Sequence, residues 1–330
     1  MEMLEGADLC FPHLLNASCR KQMRPQSEAL LLSILLSFIS LLTVALNLLV
    51  IISISHFRQL HTPTNLLLLS LAVSDFLVGI LLMPVEGFRF LGACWMLGDF
   101  LCALFYFVAY VITSASVGNM VLISIDRYVA ICDPLHYPTK ITQRRVQVCV
   151  CLCWVCSVLY NTLMQTDNLN QLSSYYSCYG ECVFISHYIA GAVDLVITFT
   201  IPIVVIVFLY MSVFIVAVKQ ARAMSFHITT IKPGVVTITA RKSERKAART
   251  LGIVIVVFLI CFCPYYYPAF VGVDTELNSL SSSLVVFLFF SNSCANPVIY
   301  VFFYPWFRRT IKVIATLEIL QTNSCKMNIL

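Results

Sequence analysis

Residues 28–55 read EALLLSILLSFISLLTVALNLLVIISIS, nearly pure Leu, Ile, Val and Ser, with no charged residue after Glu28. A helix rises 1.5 Å per residue, so about 20 mostly apolar residues cross the roughly 30 Å hydrocarbon core of a bilayer. This run is long enough. Six others qualify, at about 64–88, 98–130, 145–166, 184–219, 244–271 and 280–303. The whole chain agrees: of 330 residues 60% are apolar and 11% charged, with mean hydropathy +0.89. A soluble protein of this size would need about twice that charge to cover its surface, and a disordered one would be far less apolar. No unit of 20–50 residues repeats, which removes a solenoid. The expectation is an all-α membrane protein: a seven-transmembrane helix bundle at 28–303, an outer tail at 1–27, and a short amphipathic eighth helix with a cytoplasmic tail at 304–330.

Lys and Arg orient the bundle, since they concentrate on the cytoplasmic side. With the N-terminus outside, Arg20, Lys21, Arg24 and Arg89 are the outward basic residues, and the other seventeen of twenty-one fall inside. Residues 1–27 lack the apolar core of a signal peptide, so the first span is expected to act as an uncleaved anchor. Acidic residues lean outward: Glu2, Glu5, Asp8, Glu28, Glu86, Asp99, Asp167, Glu181, Asp274 and Glu276. An acidic mouth gathers cations; ordinary solvated loop charge is the plainer reading.

Of fifteen cysteines, Cys10, Cys19, Cys102, Cys178 and Cys182 are read as facing the oxidising outside, where disulfides persist. A Cys102–Cys182 bridge would pin the second outer loop to span three. Cys178 is then left for the N-terminal tail, and the odd count leaves either Cys10 or Cys19 over. Cys149, Cys151, Cys153 and Cys156 have metal-like spacing but lie inside span four, where small apolar packing is the better account than zinc. Asn16-Ala17-Ser18 is an outward glycosylation sequon. Cys325, beyond span seven, is either a lipidation site or a free thiol.

Ionisable residues inside a span are costly, so each is a functional candidate. Asp75 in span two has Ser116, Asn292, Ser293 and Asn296 as expected partners, an oxygen set suited to sodium or else to a purely structural water network. Asp126-Arg127-Tyr128 ends span three. An Arg127–Glu244 ion pair to the start of span six would clamp the two helices; flanking positive-inside charge is the alternative. Asp194 lies about eight residues, or roughly 12 Å, below the outer end of span five. No span carries a basic residue at that depth, so its partner must be water, a hydroxyl or an incoming cation. Gly191 and Thr198 share its face. Tyr110, Phe262, Tyr265, Tyr266, Phe289 and Phe290 stand at matching depths. A carboxylate beside aromatic faces suits an ammonium ion, although aromatics at helical spacing are commonly packing.

Asn47, Leu71-Ala72-Val73-Ser74-Asp75, Asp126-Arg127-Tyr128, Trp154, Pro202, Phe258 through Pro264 and Asn296-Pro297-Val298-Ile299-Tyr300 resemble the landmarks of rhodopsin-like (class A) G-protein-coupled receptors, over nearly the whole chain. More narrowly, residues 292–307 (NSCANPVIYVFFYPWF) resemble the span-seven fingerprint of trace amine-associated receptors, as do Cys10-Phe11-Pro12 and the Cys178/Cys182 pair. The resemblance implies Cys102–Cys182 as the usual bridge and Cys19–Cys178 as that family's extra one. It also implies an olfactory receptor for volatile amines, signalling through a stimulatory G protein to adenylyl cyclase, with Asn296, Pro297 and Tyr300 among its activation switches.

Departures from that pattern carry information. The span-three Asp of amine receptors falls here on Ala109, its span-seven Tyr partner on Phe290, and the span-six toggle Trp on Phe262. Asp194 falls where some fish members carry an alternative acid. The ligand is therefore expected to hang from span five. Glu86 is a candidate for a second amine, but Arg89 at i+3 is expected to neutralise it. A retinal pump would need a Lys in 280–303, a transporter broken helix pairs in matching halves, and an enzyme a catalytic constellation; none is present. No cofactor and no nucleic-acid partner is expected. The expected partners are a small-molecule amine, a G protein and the bilayer, with a class A receptor for a non-amine or diamine ligand as the alternative.

Overall fold

The computed structural model describes the chain apart from residues 1–8, 15–16, 21–24, 92–93, 171–177, 181, 183–187, 228–251, 268–278, 322–323 and 330. Among the described residues α1 is Gln26–His56. Helix α2 runs as Pro63–Leu77, a π-helical Val78–Leu82 and Met83–Phe90. Helix α3 is Gly98–Cys132 and α4 is Gln143–Asn170. Helix α5 runs as Tyr188–Asp194, a π-helical Leu195–Thr200 and Ile201–His227. Helix α6 is Gly252–Tyr267, α7 is Ser279–Phe303, and α8 is Pro305–Ala315. Six of these are long and apolar enough to cross a membrane, and α6 is a shorter apolar helix at the place of the sixth run. The fold is a seven-transmembrane helix bundle with an amphipathic eighth helix.

The two π-helical turns share a cause. Each ends two residues before a proline, Pro84 in α2 and Pro202 in α5. Proline has no N–H, and its ring collides with the carbonyl four residues back. Widening the preceding turn to i→i+5 relieves that collision. In α5 the Thr200 hydroxyl donates to the Leu195 carbonyl at 3.1 Å, serving one carbonyl of the loosened turn.

Helix α3 is the hub, packing on α2, α4 and α5, while α1 packs on α2 and α7. Polarity is inverted relative to a water-soluble protein. Asn47, Asp75, Asn119, Asn161, Asn292 and Asn296 are buried, whereas Leu30, Phe38, Leu41, Leu152, Leu159, Leu163, Phe208 and Met211 face out. That is the arrangement lipid requires, since nothing outside can satisfy a polar group. Buried polar contacts lock the helices in register. Asn47 donates from α1 to the Thr43 carbonyl at 2.9 Å and to the Ser293 carbonyl of α7 at 3.0 Å. Trp154 Nε1 of α4 donates to Ser70 of α2 at 3.0 Å. Gly118 lets α4 approach α3, since a Cβ there would lie 2.4 Å from Cys153 Sγ. Of the span-four cysteines Cys153 packs in this way, while Cys149, Cys151 and Cys156 are exposed, and among the described residues no three His, Cys, Asp or Glu gather as a metal group.

Outside, three disulfides tie the tail and loops together: Cys10–Cys94, Cys19–Cys178 and Cys102–Cys182. The outward cysteines number six, not the expected five. Cys94 stands between the second and third spans and is the sixth, so neither Cys10 nor Cys19 is left over. Backbone bonds complete the cap, from Cys10 N to Cys19 O and from Cys19 N to Tyr179 O, each 2.9 Å, and from Trp95 N to Gly180 O at 3.0 Å. Inside, α8 buries Trp306, Phe307, Thr310 and Val313. The segment after it turns back under the bundle, where His56 meets Ser324 at 2.9 Å and Ile329 is buried in the main core beside Leu60 and Phe57.

Candidate functional site

Asp194 is the last residue before the π-helical turn of α5, six residues or about 9 Å into the described helix. Its carboxylate accepts a hydrogen bond from the Tyr160 hydroxyl of α4 at 3.0 Å. Thr198 donates to the Asp194 backbone carbonyl at 2.7 Å, and its hydroxyl also lies within reach of the Asp194 carboxylate and the Tyr266 phenol. A hydroxyl, one of the three partners left open by the sequence, is thus present beside the carboxylate. Among the described residues no Lys, Arg or His forms an ion pair with Asp194. The carboxylate lies within electrostatic reach of the hydroxyls of Tyr110, Tyr265 and Tyr266.

The aromatic residues of α6 and α7 form one continuous stack. Phe262 lies 4.4 Å from Phe258 and 4.7 Å from Phe289 between ring centroids. Tyr265 lies 4.7 Å from Phe289 and 5.2 Å from Tyr266, which stacks on Phe199 of α5 at 4.1 Å. Tyr265 remains 42% exposed, so its ring borders open space rather than core. Phe290 departs from the group. It is buried with Leu32, Leu36, Val78, Leu82, Met83 and Ile112, so its ring packs α7 against α1, α2 and α3. Ala109 borders the same cluster and contributes no polar atom.

Tyr160 was not singled out in the sequence. Its signal was present, as the lone tyrosine in residues 143–166. At the outer end of α2, Arg89 Nη1 pairs with Glu86 at 2.8 Å. Arg89 Nη2 donates to the Cys182 carbonyl at 3.3 Å, and Tyr106 donates to the same carbonyl at 3.2 Å.

Deeper in the bundle Asp75 is fully buried and accepts from Asn296 Nδ2 at 2.8 Å. Its other oxygen and the Oδ1 atoms of Asn292 and Asn296 are buried without a protein partner. Ser116 on α3 and Ser293 on α7 are buried as well, Ser293 within reach of the Asp75 carboxylate. Orphaned oxygens of this kind fit a hard monovalent cation.

At the inner end, Arg127 Nε donates to Asp126 at 2.9 Å and Arg127 also bonds Thr64 at the start of α2. Asp126 further accepts from Tyr137 at 2.9 Å and from Thr64 at 3.0 Å. The described contacts of Arg127 therefore run to α2 and its own helix, and Glu244 lies outside the described residues. Tyr128 packs near Ile131 and Val213. Tyr300 is buried, and Pro297 lies within α7. Asn16 also falls outside the described residues.

Residues 46–300 match the family model described as 7 transmembrane receptor (rhodopsin family). Trace amine-associated receptor 6 of Pan troglodytes is 36% identical over 338 residues, spanning 99% of this chain and 97% of that protein. Trace amine-associated receptor 13c of Danio rerio is 36% identical over 335 residues, spanning 98% and 97%. Trace amine-associated receptor 5 of Rattus norvegicus is 36% identical over 319 residues, spanning 94% and 92%. A buried-polar bundle with an aromatic cluster beside a carboxylate, and this breadth of likeness, lead to one assignment: the chain belongs to the trace amine-associated receptors, within the rhodopsin family of G-protein-coupled receptors, and is a receptor rather than an enzyme.

Proposed function

We propose that this receptor binds a protonated amine through Asp194 and activates a stimulatory G protein, raising cAMP. The observation that carries this reading is a carboxylate within a membrane span whose described partners are neutral hydroxyls. Such a charge is expensive in a bilayer and is offset when a cation arrives. The alkyl or aryl part of the ligand fills the space bordered by Tyr110, Phe262, Tyr265, Tyr266 and Phe289, where ring faces attract the ammonium. Thr198 steadies the anchor, and Phe290 backs the wall. Ala109 supplies no rival anchor on α3.

Binding selects a packing of the bundle rather than creating one, so the ligand acts by its differential affinity for two states. An amine that draws α5 toward the Tyr266–Phe199 contact disturbs the stack through Phe262, and α6 swings about Pro264. The inner ends then part, releasing Asp126, Arg127 and Tyr128 from their contacts, while Asn296, Pro297 and Tyr300 repack on α7. A G-protein helix docks in the groove this opens. Asp75, with Ser116, Asn292 and Ser293, would hold a sodium ion that steadies the resting state by neutralising the buried carboxylate. The setting is the plasma membrane of olfactory sensory neurons, with the N-terminus outside and Asn16 glycosylated. Ala109 also favours a second reading, a receptor of the same fold for a non-amine ligand.

The test is a cAMP reporter assay in transfected cells, screening amines against the wild type and Asp194→Asn at equal surface expression. A response lost in the variant supports the anchor. An amine response unchanged in Asp194→Asn removes it.

A further inference from the structure

We infer that Arg89 sets the ligand class of this receptor by masking Glu86, a second acidic site in the same chamber, so that a monoamine is accepted and a diamine refused. The inference rests on Asp194 as the amine anchor. Glu86 and Arg89 sit one turn apart on α2 with 2.8 Å between Nη1 and Oε1, and the side chains are 14% and 34% accessible. A pair at i and i+3 is ordinarily a weak helix contact. This one is held from other directions too. The guanidinium donates to the Cys182 carbonyl at 3.3 Å and lies 5.9 Å from the centre of the Tyr106 ring. Cys182 is itself fixed to Cys102 on α3 by a disulfide.

The pair and Asp194 share tyrosine neighbours. Tyr106 lies one helical turn outward of Tyr110 on the same face of α3, a rise of about 6 Å. Tyr110 is within electrostatic reach of Asp194, and Tyr265 is within reach of Asp194, Glu86 and Arg89 alike. Among the described residues this group holds two carboxylates and one guanidinium, a net single negative charge that matches one ammonium. A diamine brings two. Its second ammonium meets Arg89 beside the carboxylate it needs, and displacing Arg89 strands a guanidinium that has three contacts where it is. Removing the guanidinium unmasks Glu86 at the far end from Asp194, the arrangement a diammonium chain requires.

The experiment uses the full-length receptor in the cAMP assay with unbranched terminal diamines of increasing length and the best monoamine agonist of the wild type. Arg89→Met is expected to gain diamine potency by about tenfold or more, the scale of one charge-assisted hydrogen bond. Adding Glu86→Gln to Arg89→Met should abolish the gain, and Asp194→Asn should abolish the monoamine and diamine responses together. Arg89→Gln keeps a donor for the Cys182 carbonyl and serves the same comparison if Arg89→Met does not reach the surface. Glu86→Gln alone, which leaves Arg89 unmasked, should weaken the monoamine. Surface-expressed Arg89 variants with diamine potency within threefold of wild type, while the wild-type monoamine response still depends on Asp194, overturn this inference alone. A wild type that answers no amine, with Arg89 variants that answer no diamine, overturns the anchor and this inference with it.

Discussion

Gly180→Ala would test how the outer cap is built. Gly180 has φ +105°, a backbone conformation that residues with a Cβ rarely adopt. A Cβ there would lie 2.7 Å from Cys10 Cβ and 3.1 Å from Cys10 Sγ. Cys10 cannot swing aside as a free side chain, because it is bonded to Cys94. The backbone strain alone is about 2 kcal/mol, and the collision adds to it. The bundle does not share that cost, since the cap can lift locally while the helices stay packed. Opening of the cap should therefore rise about 30-fold or more, the factor that corresponds to about 2 kcal/mol. The readout is amide hydrogen exchange at Cys10, Cys19 and Trp95, whose N–H groups bond within the cap, and at Tyr179, whose N–H donates to Ala17 O at 2.7 Å. Exchange at all four amides within threefold of wild type would refute the reasoning.

Three shorter predictions accompany it. Cys94→Ser should expose one new outward thiol, at Cys10, to a membrane-impermeant maleimide, and unchanged labelling would contradict the Cys10–Cys94 bridge. Trp154→Phe removes the 3.0 Å bond from α4 to buried Ser70 and should cost about 1–3 kcal/mol; the melting temperature of the purified receptor in detergent should fall by a few degrees, and an unchanged value would refute the role of that bond. Asp133, in the loop after α3, hydrogen-bonds Lys140 and His136, which hold its carboxyl down at about 2 rather than the usual 3.8. A depressed carboxyl adds stability above its unfolded value and loses it as pH falls through the folded one, so this pairing should persist at pH 4 and fail near 2. A carboxyl ¹³C titration midpoint near 4 would contradict it.

The spans were legible because length and apolarity are direct statements about a bilayer, and 28–55 needed no context at all. Asp194 and Asp75 were legible because a carboxylate inside such a run is costly and therefore conspicuous. Their partners were less so, since Tyr160 reaches Asp194 only through the packing of α4 on the bundle. The π-helical turns at Val78–Leu82 and Leu195–Thr200 went unread although Pro84 and Pro202 announced them. Cys94 went uncounted because it stands in a short linker between two spans. The return of Ile329 to the core beneath α8 carries no local signal, as it depends on contacts nearly the whole chain apart.

The most direct measurement is a structure of the receptor bound to an activating amine. The account places the ligand nitrogen within about 3–4 Å of the Asp194 carboxylate, the range of a charged hydrogen bond or close ion pair, with its carbon skeleton against Tyr265, Tyr266 and Phe289. A nitrogen seated beside Ala109 and away from Asp194 would contradict it.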